Sequence, residues 1–488
     1  MCFPAAAAAA ARRSSWTASL ALLLSGAAIL PALAQTPTDA ELPGAPATRE
    51  QQPSAPAEAE TDSGIWQRDR LLGDLGGVRK RLEDAGITVT LQETSEVLGN
   101  VNGGIKTGAI YEGATLMGLA IDTDKAIGLP GGTFNASAYQ IHGRSLTANN
   151  LHNLNTVSNI EATRATRLFE LWYEQKLLND TVSVRIGQQG ADQEFQISLY
   201  AGLFINASFG WPTLAAVDLP SGGPAYPLAT PGVRLKVRPR DDLAFLLGIF
   251  NGDPAPAGTG DPQARDPSGT SFVLDQGVFV IGELQYSLNG GEDAAGLPGT
   301  YKLGAWYNSN QFADQRYAND GLPLADPAST GVARLHTNNW SMYAVADQMV
   351  WRKPGTKDQG IGVFGRVSGI NNDRNLVNVL VNAGVTWKGA IPGREDDSAG
   401  LGITWSRIGD RARGYDRDVA YYSGAAYPIR TSETVLELTY QAPVTPWLTL
   451  QPDFQYVFNP GGGIVSSADP SRKIGSAAVF GLRGVIVF

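Results

Sequence analysis

The stretch VNVLVNAGVTW, residues 377–387, sets Val377, Val379, Val381, Ala383, Val385 and Trp387 in one alternate row and Asn378, Leu380, Asn382, Gly384 and Thr386 in the other. A side-chain period of two is that of a β-strand whose two faces meet different surroundings. The same phase recurs in both directions. Val182, Val184 and Ile186 interleave with Ser183, Arg185 and Gly187, and Val233, Leu235 and Val237 with Arg234, Lys236 and Arg238. Ala399, Leu401, Ile403 and Trp405 alternate with Gly400, Gly402, Thr404 and Ser406. Further strands are expected to begin near Ile87, Tyr111, Thr133, Leu168, Leu243, Val278, Tyr301, Ser341, Ile361, Ser432, Leu448 and Ala478, about sixteen in all.

A soluble β-sandwich would alternate too, so the connections decide. Tight turns such as Leu178-Asn179-Asp180 and Arg238 to Asp242 contrast with long Gly/Pro/Asn/Asp-rich tracts such as Asn251 to Ser271 and Gln311 to Asn338. Alternate short and long connections are the plan of an outer-membrane barrel. Trp172-Tyr173, Trp306-Tyr307, Tyr421-Tyr422, Trp387 and Trp447 stand where strands end, as headgroup girdles require. Beyond residue 86 no run approaches the ~18 apolar residues of a membrane helix. In hydrocarbon an unpaired backbone group costs several kcal/mol, so the sheet must close, and at this strand number it encloses water. The expected fold is therefore all-β, a transmembrane antiparallel barrel over residues 87–488. Phe480, Leu482, Ile486 and the terminal Phe488 share one face of the last strand, the form of signal a barrel-assembly machinery reads.

The preceding residues divide in three. Residues 1–34 read as a signal peptide, with Arg12 and Arg13 in a basic n-region, a short apolar run from Leu20 to Leu30, and Ala32-Leu33-Ala34 at the cleavage site. An uncleaved anchor and a twin-arginine signal are the weaker alternatives. Residues 35–63 are a Pro/Ala/Glu-rich spacer too poor in apolar groups to order itself. Residues 64–86, with Val78, Leu82 and Ala85 at helical spacing before Gly86, read as a short periplasmic helical segment.

Composition narrows the chemistry. There are 57 glycines among 488 residues, and charged residues make up 17% of the chain against a usual ~25%. With 47 acidic against 38 basic residues, the net charge of −9 offers no field for nucleic acid. Cys2 is the one cysteine, so disulfides and thiolate metal clusters are excluded. His142, His152 and His336 have no zinc-ligand spacing, and no nucleophile elbow, phosphate loop or dinucleotide fingerprint is present. No cofactor, metal or catalytic residue is expected. If the apolar rows meet outer-membrane lipid, the opposite rows line the pore: Glu170, Trp172, Glu174, Arg185, Arg234, Lys236, Arg238, Arg366, Glu433, Glu437, Gln451, Asp453, Gln455 and Arg483. Both signs of charge beside aromatics suit sugar hydroxyls and pyranose faces better than ions. A general porin, a barrel hydrolase using a Ser/His pair near His142 or His336, and a secreted lectin or adhesin are the rivals. A homo-oligomer is left open, because lipid-facing and subunit-facing apolar rows look alike.

Several motifs also resemble the OprB-type carbohydrate-selective porins of Gram-negative outer membranes. They begin with WQRDRLLGDLGGVR at 66–79 and continue through Gly128 to Phe134, Leu171 to Gln175, Arg185-Ile-Gly-Gln188, Asp192, Glu194-Phe195, Tyr226-Pro227 and Ile249 to Pro254. They close with Leu450 to Tyr456, Asn459 to Gly462 and Gly481-Leu-Arg483. The match is weakest between about Gly290 and Gly424, and Leu75 stands where the family more often has Trp. The resemblance implies a sixteen-stranded barrel that passes glucose and similar sugars through a charged constriction, without cofactor or covalent step. Arg185 and Glu174 fall inside matched motifs and Glu170 immediately precedes one, so these three are favoured among the lining residues. A barrel of this kind migrates on SDS gels as a compact species until boiled, whereas a soluble lectin shows one mobility before and after heating.

Overall fold

The computed structural model describes residues 64–290, 296–466 and 469–488, so the signal peptide at 1–34 and the spacer at 35–63 lie outside the described residues. Sixteen antiparallel strands form one closed ring in which each pairs with its sequence neighbours and the first pairs with the last. They are β1 (Ile87–Gly104), β2 (Gly108–Asp122), β3 (Gly132–Gly143), β4 (Ala165–Leu177), β5 (Val182–Gln189), β6 (Thr230–Arg240), β7 (Leu243–Asn251) and β8 (Val278–Leu288). The second half comprises β9 (Gly299–Ala318), β10 (Ala333–Arg352), β11 (Gly360–Ile370), β12 (Val377–Lys388), β13 (Ser398–Ile408), β14 (Ser432–Thr445), β15 (Leu448–Phe458) and β16 (Gly475–Val487). Along β7, Phe245, Leu247 and Ile249 are nearly half exposed, while Ala244, Leu246 and Phe250 are buried. That alternation is the expected one, with an apolar belt outside.

Closure is fixed at the β1–β16 seam, where Val97 faces Leu482 and Glu93 faces Ile486. The segment before β1 reinforces it from below. A short helix, Val78–Asp84, ends at Ala85, and Gly86 turns the chain at φ +78 into β1. Leu71 N–H donates to Val487 O at 2.9 Å, Arg79 donates to Phe488 O at 3.0 Å, and the Trp447 indole donates to Ile65 O at 2.8 Å. This end carries the tight turns at 178–181, 241–242 and 446–447, while the long connections 144–164, 190–229, 252–277 and 409–431 leave the other end.

The interior differs from an open tube. Residues 144–164 and 190–229 fold inward, and their backbone needs hydrogen-bond partners that no sheet supplies. The wall provides them. Glu433 accepts from the N–H groups of Leu154 and Asn155, both at 2.7 Å, and of Gly461 at 2.6 Å. Glu437 accepts from Ile205 N–H at 2.6 Å and Asn206 N–H at 3.0 Å. Asp347 takes Ser198 Oγ, Leu199 N–H and Tyr200 N–H, and Arg366 donates to the carbonyls of Gln196, Ser208 and Gly210. Glu433, Glu437, Gln451, Gln455 and Arg366 were expected to meet water. They are sealed beneath these loops instead, since a lumen-facing charge serves a buried backbone as well as it serves solvent. Phe195, Leu214 and Leu219 of the inward segment pack on Leu246, Phe250, Phe279 and Trp306 of the wall.

The aromatic girdle also needs correction. Consecutive strand residues point to opposite faces, so a Trp-Tyr pair sends only one ring to lipid. Trp172 and Trp306 face inward and are buried, whereas Tyr307 and Trp387 lie outside. Tyr421 and Tyr422 belong to a helix, Asp410–Ser423, in the β13–β14 connection. Trp447 lies in the β14–β15 turn against Trp66, with ring centroids 6.3 Å apart. The tract Gln311 to Asn338 is not all loop: Leu335 pairs with Ala313 and His336 with Phe312, because a hairpin beyond the lipid band needs paired backbone but no apolar face.

The loop anchors set a test. Glu437→Leu leaves the Ile205 and Asn206 N–H groups without acceptors, at about 1–3 kcal/mol for each buried group. The expected result is a lower heat-modification temperature and a larger, noisier single-channel conductance, with Glu437→Gln closer to the unsubstituted chain.

Candidate functional site

Adjacent strands β4, β5 and β6 align Glu174, Arg185 and Arg234 as directly opposed residues on the lumen face. Arg185 donates to Glu174 Oε2 from Nε at 2.9 Å and from Nη2 at 2.7 Å, and Arg234 Nη2 reaches the same oxygen at 2.8 Å. Glu194, from the inward segment, completes the group. Its Oε2 accepts from Arg234 Nε at 2.6 Å, and its Oε1 lies 3.7 Å from Arg185 Nη2. Arg234 Nη1 donates to Ser183 Oγ at 2.6 Å. Two guanidiniums and two carboxylates thus form a closed ring of alternating sign where the inward segment meets the wall.

The support around it is specific. The Arg185 guanidinium carbon lies 3.9 Å above the centre of the Trp172 ring. Trp172 Nε1 donates to Glu170 Oε2 at 3.1 Å, and Glu170 Oε1 accepts from Gly190 N–H at 3.1 Å, tying β4 to the start of the inward segment. Gly187 is directly opposite Trp172 with φ +139, and a Cβ there would come 2.9 Å from Trp172 Cβ. A local irregularity in β4 prepares the site. Ser137 pairs with Glu170 but Ala138 with Leu168, so Phe169 is an extra residue that resets the phase and turns Arg167, Phe169, Glu170 and Trp172 all inward.

Side-chain exposure separates the roles. Glu194 keeps 20%, Glu174 14% and Arg185 11%, while Arg234 keeps 1%. The first three can meet a solute; Arg234 braces them. Trp172 and Glu170, both expected as lining, lie behind Arg185. Lys236, opposite Ser183, and Arg238, whose N–H donates to Thr181 O at 2.7 Å, continue the basic row of β6 and remain partly exposed. Asp453 and Arg483 lie elsewhere on the wall. Asp453 accepts from Gln455 Nε2 at 3.0 Å. Arg483 is bound to Glu96, and its Nη2 reaches Asn159 Oδ1 at 2.6 Å. Arg483 fastens the wall to a loop and Asp453 is tied within the wall; neither is a member of the ring. Glu194 and Ser183 were not among the expected site residues. Glu194 lies outside any alternating run, and only its place in the Glu194-Phe195 motif marked it.

The histidines of the hydrolase reading have other partners. His142 meets Tyr111 and Gln140, and His336 meets Asp314 at 2.8 Å.

Comparison with known proteins identifies the family. Residues 106–488 match the model of the carbohydrate-selective porin OprB family. The chain belongs to the OprB family. Porin B of Pseudomonas aeruginosa is 27% identical over 424 residues, covering 83% of this chain and 89% of that protein. A putative porin, QuiX, of Acinetobacter baylyi is 25% identical over 434 residues, 82% of this chain and 90% of its own. The high-pH structure of Pseudomonas putida OprB superposes with a TM-score of 0.76 at 24% identity, covering 88% of this chain and all of that one. This OprB-family chain is thus an outer-membrane, carbohydrate-selective porin of a Gram-negative bacterium.

Two carboxyls of the inward segment respond oppositely to burial. Burial pushes Asp192 up to about 6, although Tyr226 N–H donates to it at 2.9 Å. Burial would raise Glu194 as well, but the Arg185 and Arg234 guanidiniums outweigh it and hold this carboxyl below its usual range. A depressed folded-state pKa stabilises above the unfolded value of about 4.3 and is lost as pH falls through the folded one. The raised Asp192 value acts the other way, favouring the fold below about 6. Sugar-dependent conductance is therefore expected to hold from pH 7 to 5, while Asp192 takes up its proton, and to change only below about pH 4.3 as Glu194 begins to leave its arginines. Planar-bilayer recordings over that range check it.

Proposed function

We propose that the ring formed by Glu174, Arg185, Glu194 and Arg234 is the selecting eyelet, and that neutral monosaccharides of the glucose class are its preferred cargo. The reading rests on one observation: the charges at the constriction are paired with each other. A ring in which each guanidinium already faces a carboxylate offers little net field to an ion. It still presents strong donors and acceptors at its exposed edge. A sugar hydroxyl donates and accepts at once, so it can exchange water for Glu194 and Arg185 without separating charge. Arg185 is held flat by Trp172, so its outward N–H groups are oriented before a solute arrives.

Transport is passive. The eyelet replaces part of the sugar's hydration, and each contact is weak enough for release on the periplasmic side. Lys236 and Arg238 extend the polar path along β6, and the bonded pair Glu170 and Trp172 keeps Arg185 in place. No step forms or breaks a covalent bond, and none calls for a cofactor. The surrounding partners are outer-membrane lipid, the sugars themselves and, through the alternating end at Phe480 to Phe488, the barrel-assembly machinery.

Hydrogen bonds to charged groups are worth about 1.5–3 kcal/mol. Arg185→Ala is therefore expected to weaken glucose block of single-channel current by about tenfold or more, with Arg185→Lys in between. Liposome swelling gives the complementary measurement. Glucose is expected to enter faster than amino acids of similar size, and equal rates would point to a general pore.

A further inference from the structure

At the extracellular end of β2 and β3 the outer face carries an open cleft of about 340 Å³, lined by Ala109, Ile110, Tyr111, Gly143, Arg144 and Arg164. Ala109 and Tyr111 are exposed side chains of the outer row, close to the extracellular start of β2. Gly143 ends β3 at φ +94, and a Cβ there would come 2.3 Å from Tyr111 O, so glycine lets the chain turn tightly across β2. The N–H of the next residue, Arg144, donates to Tyr111 O at 2.9 Å. Arg164 immediately precedes β4. The two arginines therefore stand where the inward connection 144–164 leaves β3 and where it returns to β4.

Both arginines are exposed, and among the described residues neither side chain is paired with a carboxylate. The acidic groups nearby are committed elsewhere. Glu161, the one carboxylate of residues 144–164, accepts from Ser145 Oγ, from Thr147 Oγ1 at 3.0 Å and from Thr147 N–H at 3.2 Å. Asp261, in the neighbouring connection, accepts from Thr163 Oγ1 and Gln263 N–H. Glu112, directly opposite Gly143, is buried toward the lumen. Around other loops the basic residues are neutralised in place: Arg316 by Asp418 at 2.7 Å, Arg374 by Asp373 at 2.9 Å and Arg430 by Asp416 at 2.8 Å. The Tyr111 hydroxyl lies 3.0 Å from both Ser95 Oγ and His142 Nε2, so it too is engaged. Two guanidiniums are left facing outward without a counter-ion.

Their height decides what can supply one. A tyrosine at the end of a membrane strand stands at headgroup level. Further down the same two strands Val89, Val97 and Met117 are exposed and meet acyl chains. The arginines thus stand among the headgroups of the outer leaflet, which in a Gram-negative outer membrane belong to a phosphorylated glycolipid. A guanidinium is planar, stays charged and binds two phosphate oxygens at once, which makes it the side chain best matched to that group. We infer that the cleft is a docking site for the phosphorylated glycolipid of the outer leaflet. Arg144 and Arg164 take its sugar phosphates, and its acyl chains lie along the outer rows beneath Tyr111. A lipid held there also ties both ends of the connection 144–164 to the leaflet.

The inference goes beyond the transport reading and is tested apart from it. The purified chain in mild detergent is titrated by microscale thermophoresis with bisphosphorylated lipid A and with the same lipid stripped of its phosphates. The phosphorylated form is expected to bind about tenfold more tightly. Arg144→Gln with Arg164→Gln is expected to abolish that preference. Arg417→Gln with Arg472→Gln, an equal loss of charge on the β13–β14 and β15–β16 connections, is expected to keep it. Heat-modified mobility on SDS gels shows that each variant is folded. Millimolar inorganic phosphate is expected not to displace the lipid; displacement would show an anion site without lipid recognition and overturn the inference. Equal affinity for the two lipids, a preference that survives loss of both cleft arginines, or an equal loss in the control pair would overturn it as well. Glucose block of single-channel current is expected to be unchanged in the cleft variant. Its loss there would place the arginines on the sugar path instead of the outer face, against the inference.

Discussion

Backbone hydrogen bonding governs this molecule twice over. On the outside, strands in hydrocarbon can leave no N–H or C=O unpaired, so β1 must find β16 and the sheet becomes a ring. On the inside, a ring of sixteen strands is wide enough to admit chain, and the chain that enters brings unpaired amides with it. The wall answers with Glu283, Asp347, Arg366, Glu433 and Glu437, each bonded to the backbone of an inward loop. Charges that would be costly in a core are affordable here because each is met by several partners.

The charge ring proposed as the eyelet follows from that arrangement. Once the segment 190–229 is pinned against the wall, Glu194 is brought to face the basic residues of β5 and β6, and the ring is set by side chains on rigid strands and a tied loop. The tie at Gly190 to Glu170 lies one strand from Arg185, so the parts that hold the loop also hold the arginine through Trp172. In the proposed eyelet, selectivity and stability share residues.

The strand framework was legible because lipid imposes a periodic rule on every residue it touches. Val379 to Trp387 and Val182 to Ile186 obey that rule and form strands at the expected places, whereas Val377, ahead of an irregularity in the β12–β13 register, turns inward and is buried with Leu380. What the pattern could not carry was whatever depended on long-range contacts. The extra residue Phe169 looks like any other aromatic until its partner strand is known. Glu437 and Glu174 have the same local appearance, a carboxylate in an alternating run, yet one ends under a loop and the other in the charge ring. Asp453 and Arg483 were read by the same alternation, yet Asp453 is tied to Gln455 within the wall and Arg483 fastens a loop through Asn159. Glu194 lies in an irregular segment where periodicity is silent, and the consecutive pair Trp306-Tyr307 shows that a cluster of rings in sequence is divided between faces in space.

The segment ahead of β1 has a kinetic consequence. Three of its long-range hydrogen bonds are with Val487, Phe488 and Trp447 of the β14–β15 turn, all in the last strands of the chain, while the Gly86 carbonyl accepts from Asp122 N–H at the end of β2. Those three bonds cannot form until the cylinder is complete. An interaction made only after the rate-limiting step retards opening and leaves the speed of closing untouched. Residues 64–86 thus work as a ratchet pawl at the join, lengthening the lifetime of the finished cylinder without helping it to form.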